Sequence, residues 1–282
     1  MIRSEDKVVL RDFAKIAEGN EIPYVLVGAG ARLLIFDWKY NFRSEHTTTD
    51  WDIGVQIGSW VAFERLQKAL TGGEKPKFTQ DPVAHRFNHI TGVPIDIIPF
   101  GGLERADGAI VWPQDERKMV VLGFSEVQSN AVEIDMGEGF VVPVATAPGL
   151  AVLKSFAFRD PQRIDDLQDL YFILENYDRA GNEERIFNEL SGLLSGRKLE
   201  YEFSGAYLLG MDIRRLIRSK TYKSLVPIIA PLLDPFSPDL SPLIRRIGDE
   251  RSEENERRHI AKKFSSFYAG IKARGRIKKS IR

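Results

Sequence analysis

The chain has 282 residues, 43% of them apolar and 28% charged, with no cysteine and a formal net charge of zero. This usage is ordinary for a folded globular protein and excludes a wholly disordered, collagen-like or low-complexity chain; the lack of cysteine excludes a disulfide framework and thiolate metal sites. No apolar run approaches the roughly 20 residues that a membrane span needs, and the opening MIRSEDKVVL has charges where a signal peptide needs its apolar core, so the chain is expected in the cytoplasm with no membrane association.

Residues 6–18 predict an amphipathic helix, with Val9, Phe13, Ile16 and Ala17 on one face. Residues 24–27 predict a short buried strand, Gly28-Ala29-Gly30 a tight turn, and residues 31–36 the start of a helix, followed by a polar, irregular stretch over 37–49. Trp51, Ile53, Val55 and Ile57 then alternate with Asp50, Asp52, Gly54 and Gln56. A period of two is a strand with one apolar face, which places both carboxylates together on the other face. Trp60, Phe63, Leu66 and Leu70 follow at helical spacing, residues 71–82 read as a loop, and residues 86–90 and 93–98 read as a hairpin around Thr91-Gly92 with Asp96 in its second strand. Short strand-like runs occupy 119–122, 131–134 and 140–144.

Pro148 and Gly149 mark a change of style, and the chain divides near residue 146 into an α/β half, 1–146, and a helical half, 147–282. Helices are predicted near 150–159, 162–177, 183–194, 200–208, 212–219 and 253–272, and five prolines make 227–242 an irregular connection. The zero net charge is uneven: residues 257–282 hold ten basic and no acidic side chains, which leaves the preceding chain at −10. An acidic body with a basic tail suits an anionic partner or a contact between the two. Phe264, Phe267, Tyr268 and Ile271 form a stripe at helical spacing flanked by Lys262, Lys263, Lys272 and Arg274, open to core packing or to base stacking beside phosphate contacts. Arg214, Arg215 and Arg218 leave the same choice.

The chemistry concentrates in three carboxylates and a turn. Asp50 and Asp52 repel at this spacing, which surface placement near cations or the binding of a divalent metal relieves. Asp96 lies among Ile95, Ile97 and Ile98, where a carboxylate is costly without a partner. Upstream, a strand, a glycine turn and a helix offer backbone amides to phosphate. These parts in this order suit two-metal phosphoryl or nucleotidyl transfer. Gly28-Ala29-Gly30 also imitates a dinucleotide fingerprint, but Leu33 stands where the third glycine belongs and the residues before Asp50 are polar. His85 and His89 lie in a strand-like pattern with no H-E-x-x-H, against a zinc site, and Ser44, Ser59 and Ser125 carry no nucleophile signature.

The ordered set Val27-Gly28-Ala29, Thr48-x-Asp50-x-Asp52 and Asp96 resembles the core of the polymerase-beta-type nucleotidyltransferases. The continuation, Gly149-Leu150-Ala151-x-x-Lys154-x-x-Ala157 and then Arg163-x-x-Asp166-Leu167-x-Asp169-Leu170, is similar to the abortive-infection AbiEii-like toxin branch. The resemblance covers about residues 20–177. It implies an α+β fold, with a mixed sheet flanked by helices and a helical C-terminal domain. It further implies transfer of a nucleoside monophosphate from an NTP with Mg²⁺ or Mn²⁺, onto RNA, tRNA or protein, and a cognate antitoxin. By it, Asp50 and Asp52 hold the metals and Asp96 completes that site or activates the acceptor hydroxyl. Gly28, Ala29 and Thr48 lie at the nucleotide, Lys154 neutralises phosphate, and Asp166 and Asp169 organise a helix facing the site, with Arg163 paired to them or to the nucleotide.

The chain departs from the pattern at Ala29, where Gly or Ser is usual, at His46, where an Arg often precedes the acids and Arg43 is a distant substitute, and at Asp165, where Lys is common. Two other readings therefore stand: a small-molecule adenylyltransferase of the antibiotic-modifying kind, and a non-catalytic binding or antitoxin-like module on the same fold.

Overall fold

The computed structural model describes residues 2–42, 48–160, 163, 165–244 and 250–273. His46, Arg43 and Arg274 lie outside the described residues, as does the tail beyond residue 273. The fold is α+β, and the chain divides into two units, Met1–Leu153 and Lys154–Arg282.

In the first unit, α1 (Ser4–Gly19) begins where the Arg3 backbone N–H and guanidinium donate to Asp6 at 2.8–3.0 Å. Its inner face buries Val9, Leu10, Phe13, Ala14 and Ala17, close to the predicted stripe. All four residues of β1 (Tyr24–Val27) are buried, as an inner strand covered on both faces requires. Gly28 then takes φ +66°, and the chain turns straight from the strand into α2 (Gly28–Arg32), which runs on as a π-helical stretch over Leu33–Lys39. This helix starts three residues before the predicted one and reaches into the stretch read as irregular. Leu33, Leu34, Ile35 and Phe36 are buried in succession, so no helical period was there to read.

The predicted alternation folds as β2 (Trp51–Gln56), and Ser59 caps α3 (Trp60–Thr71) by accepting from the Ala62 N–H at 3.2 Å. The hairpin is β4 (Arg86–His89) and β5 (Pro94–Phe100); β3 (Phe78–Gln80), within the predicted loop, extends it. A separate two-stranded ribbon joins β6 (Ala109–Val111) and β7 (Lys118–Val120). Then come α4 (Phe124–Ser129), β8 (Val132–Asp135), β9 (Val141–Val144) and α5 (Ala147–Ala157), within which the two units divide. The main sheet has seven strands in the order β3-β4-β5-β2-β1-β9-β8. It is mixed: β2 pairs antiparallel with β1 and parallel with β5, and β1 pairs parallel with β9.

The second unit is helical: α6 (Asp165–Asn176), α7 (Glu183–Ser195), α8 (Ser204–Leu216), α9 (Ser219–Ile229) and α10 (Glu250–Lys272). Phe264, Phe267 and Ile271 of α10 are fully buried, so these three of the stripe are core, while Tyr268 is half-buried. Helices α8 and α10 cross at Gly210 and Gly270, where an added Cβ would overlap the partner's backbone carbonyl. The predicted helices 200–208 and 212–219 are one continuous α8 preceded by a 3₁₀ turn over Tyr201–Phe203. Pro227 lies inside α9 rather than ending it, in the last turn before the chain passes into a 3₁₀ helix over Ala230–Leu233; it removes one backbone donor from that turn. Among the described residues no helix is long and apolar enough to cross a membrane.

Candidate active site

The strand register builds the site. Asp52 of β2 lies opposite Asp96 of β5, and Asp96 lies opposite Arg86 of β4. Directly paired residues project from the same face of a sheet, so Arg86, Asp96 and Asp52 form a row across three neighbouring strands. On the far side of β2, Asp52 is paired with Val27, the last residue of β1. The next residue, Gly28, rests against the Asp52 carboxylate so closely that a Cβ there would overlap Oδ2. Glycine at this position is required twice, by its positive φ and by the approach of that carboxylate.

Two like charges directly opposite each other across a strand pair are destabilising, and the Arg86 guanidinium supplies compensation beside them. Its Nε and Nη2 donate to the two oxygens of Asp96 at 2.7 and 2.8 Å, and Nη2 also donates to Asp50 Oδ2 at 2.7 Å. The forked hydrogen bonds to Asp96 hold Arg86 even further above its ordinary ionisation range. Asp50, in the bend before β2, is thereby drawn to the same place as Asp96. Thr48 shapes that bend by donating from Oγ1 to the Asp50 carbonyl at 2.5 Å. His85 Nε2 is 3.9 Å from Asp96 Oδ2, and its ring packs on Trp112 with centroids 5.4 Å apart. Burial pushes the His85 imidazole below its usual value, which keeps it neutral near pH 7.

The sheet thus gathers Gly28, Asp50, Asp52 and Asp96, with half-buried Ala29 following Gly28 in α2. Sequence reading missed Arg86. The signal was its place at the start of the hairpin that carries Asp96, but the pairing depends on register.

Lys154, Asp166 and Asp169 belong to the second unit and form their own cluster. Lys154 Nζ contacts Asp166 Oδ1 at 2.5 Å and Asp169 Oδ2 at 2.6 Å, and Arg163 Nε donates to Asp166 Oδ2 at 2.6 Å. The lysine is almost fully buried. Burial alone would lower its pKa, but the charges of Asp169 and Asp166 outweigh it and the value is raised. Asp166 and Asp169, three apart on α6, face the same ammonium. A second network, unforeseen, centres on Asp212 of α8, which accepts from Tyr177 Oη at 2.6 Å and from both terminal nitrogens of Arg185 at 2.8 Å. Arg215, read from sequence as part of a basic segment, is bound into this network through Asp212 and Glu189.

The resemblance implies a divalent cation. Carboxylate oxygens are the donors that Mg²⁺ and Mn²⁺ take; Asp52 and Asp96 supply them from one sheet face and Asp50 from the bend beside it, with Gly28 leaving room at Asp52, so the donor set fits in kind. Among the described residues no three His, Cys, Asp or Glu side chains converge to hold a metal, and the Arg86 guanidinium bridges two of the carboxylates.

No protein-family model matches this sequence, and no curated protein matches it significantly. Among solved structures the chain is similar to the antibiotic-resistance factor ANT(2'')-Ia, at 11% identity over 68% of this chain and 95% of that one, with a TM-score of 0.34. It is similar also to the Thermotoga maritima CCA-adding enzyme complexed with tRNA, at 13% identity over 96% and 84% of the two chains (TM-score 0.25), and to a CCA-adding enzyme with ATP, at 12% over 96% and 83% (TM-score 0.24).

Proposed function

We propose that the chain is a nucleotidyltransferase that moves a nucleoside monophosphate from an NTP to an acceptor oxygen. The observation that carries this reading is the row on the sheet: Asp52 and Asp96 opposite each other, Asp50 drawn to Asp96, and the Gly28 turn against Asp52. In the transfer, the acceptor oxygen forms a bond to the α-phosphorus, the bond to the departing pyrophosphate breaks, and the acceptor proton passes to solvent or a carboxylate. Divalent cations, when bound, neutralise the triphosphate and polarise the α-phosphate. Asp50 and Asp52 would hold them. The Gly28-Ala29 turn brings backbone close to the phosphates beside Asp52. Asp96 has both oxygens engaged by the Arg86 fork, and in this reading it positions rather than abstracts. Thr48 sets the bend that presents Asp50. Lys154, Asp166 and Asp169 tie α5 to α6 through the buried ammonium, and the resemblance gives that ammonium a phosphate to neutralise as well.

The order of the Lys154 and Asp166/Asp169 motifs supports the AbiEii-like branch, and with it a toxin that uses RNA, including tRNA, as acceptor and is restrained by a cognate antitoxin. The Arg86 bridge favours a second reading, a non-catalytic module whose acidic row is closed by its own cation.

The deciding experiment incubates each α-³²P-labelled NTP and Mg²⁺ with the protein, offering total tRNA, the protein itself and an aminoglycoside as acceptors, beside Asp52→Ala. Label on one acceptor, reduced roughly a thousand-fold in the variant, an effect of about 4 kcal/mol on the barrier, supports the transferase and names its acceptor. No label on any acceptor, with Mg²⁺-independent NTP binding or none, overturns it in favour of the module.

A further inference from the structure

The Arg86 guanidinium is bonded at once to Asp50 and to both oxygens of Asp96, yet its side chain keeps 35% of its surface exposed. Those three bonds join a strand, β4, to the bend before β2, across β5. The two attachments differ. The Asp96 pair is a two-pronged fork between residues opposite each other on adjacent strands, so geometry enforced by the ladder holds it. The Asp50 contact is a single bond from one guanidinium nitrogen to a carboxylate in a bend, 30% exposed. A one-pronged, solvent-reached contact is the weaker and the easier to exchange.

We propose that Arg86 is a built-in cation of the acidic row: it holds Asp50 against Asp96 while no metal is bound, and it releases Asp50, keeping its fork on Asp96, when a divalent cation binds. This rests on the reading of Asp50 and Asp52 as the metal-holding pair. The charge it contributes has two consequences. It compensates carboxylates that would otherwise repel, which stabilises the metal-free protein. It also lowers apparent metal affinity, because the competent arrangement is populated only when Arg86 has let go of Asp50. Arg86 is thus a positioning residue whose work is seen in metal affinity before any transfer occurs.

The test is calorimetric titration of the full chain with MnCl₂, without nucleotide, for the parent protein, Arg86→Gln, Arg86→Lys and Asp50→Ala, with melting temperatures of each taken with and without Mn²⁺. Arg86→Gln is expected to melt lower without metal, to bind Mn²⁺ about tenfold more tightly than the parent, as if a state populated one-tenth of the time had become dominant, and to recover its melting temperature with Mn²⁺. Arg86→Lys, which cannot fork, is expected to fall between the two and carries the test if the Gln variant does not fold. Equal or weaker Mn²⁺ binding in the folded Arg86 variants, while the parent binds and Asp50→Ala does not, overturns the inference and leaves the metal reading intact. Absence of Mn²⁺ binding in the parent and in both Arg86 variants overturns the inference together with the metal reading.

Discussion

The two units contain the same small device in opposite surroundings. In the sheet unit one cation, Arg86, holds two aspartates, Asp50 and Asp96, with 35% of the arginine side chain and 30% of Asp50 exposed. In the helical unit Lys154 bridges two aspartates, Asp166 and Asp169, with the lysine side chain at 8% and Asp166 at 6%, and a second cation, Arg163, reaches Asp166 from the more exposed side. Burial changes what such a device can do. A buried charge has given up its water and cannot release its partner without being left uncompensated, so the lysine cluster is a rivet. A half-exposed guanidinium can trade a carboxylate for water or for another cation at modest cost. The contrast also separates two positive side chains that each bridge a pair of carboxylates: Arg86 lies where exchange is possible and Lys154 lies where it is not.

The comparison is broken most severely at Lys154. Lys154→Met removes the ammonium shared by Asp166 and Asp169 while Arg163 stays on Asp166, so a cost of about 3 kcal/mol, the low end for breaking a buried pair, is expected. All four tryptophans, Trp38, Trp51, Trp60 and Trp112, lie in the first unit. Urea unfolding followed by far-UV circular dichroism should therefore shift to lower urea, while the tryptophan signal reports the sheet unit separately. A loss under about 1 kcal/mol, the value of an exposed pair, would mean that the cluster is not a rivet.

Gly28→Ala comes next. The added Cβ meets the Asp52 carboxylate and the backbone sits at φ +66°, so about 1–3 kcal/mol of strain is expected, read this time from tryptophan fluorescence. Transfer activity should fall further than stability, because relief of the overlap moves Asp52. Equal activity at unchanged stability would detach the turn from the site.

The smallest effect concerns acid. Burial alone would raise the Asp212 pKa, but hydrogen bonds from Arg185 and Tyr177 outweigh it and hold the folded value below the ordinary 3.8. A depressed carboxylate contributes stability that is fully present above its unfolded pKa and is lost as pH falls through its folded value. The parent should therefore lose stability below about pH 4 more steeply than Asp212→Asn, although the variant is less stable at pH 7. Parallel acid limbs for the two proteins would show that Asp212 titrates alike folded and unfolded.

Much of the sheet was legible because its signals are local. The alternation from Trp51 to Ile57 showed a strand and placed Asp52 on its polar face, whereas Asp50, expected beside it, lies in the bend before the strand; Thr91-Gly92 marked the hairpin that delivers Asp96. Elements with weak periodicity were not legible: β3 has one buried residue, Phe78, α4 is only six residues long, and the run of buried residues from Leu33 to Phe36 hid the length of the helix after Gly28. In the helical unit, Pro227 suggested a break that the fold does not make.

By itself the sequence determined which residues could share a face, since a strand repeats every two residues and a helix every 3.6, whatever lies beyond them. It also determined that Gly28 could turn sharply out of β1. Only the tertiary structure decided that Asp52 faces Asp96, that Arg86 completes their row and reaches Asp50, and that Lys154 is sealed among carboxylates. Those facts depend on strand register and burial, which are set when segments up to dozens of residues apart pack together. The energy of an ion pair follows the water around it, and no local pattern of residues encodes that water.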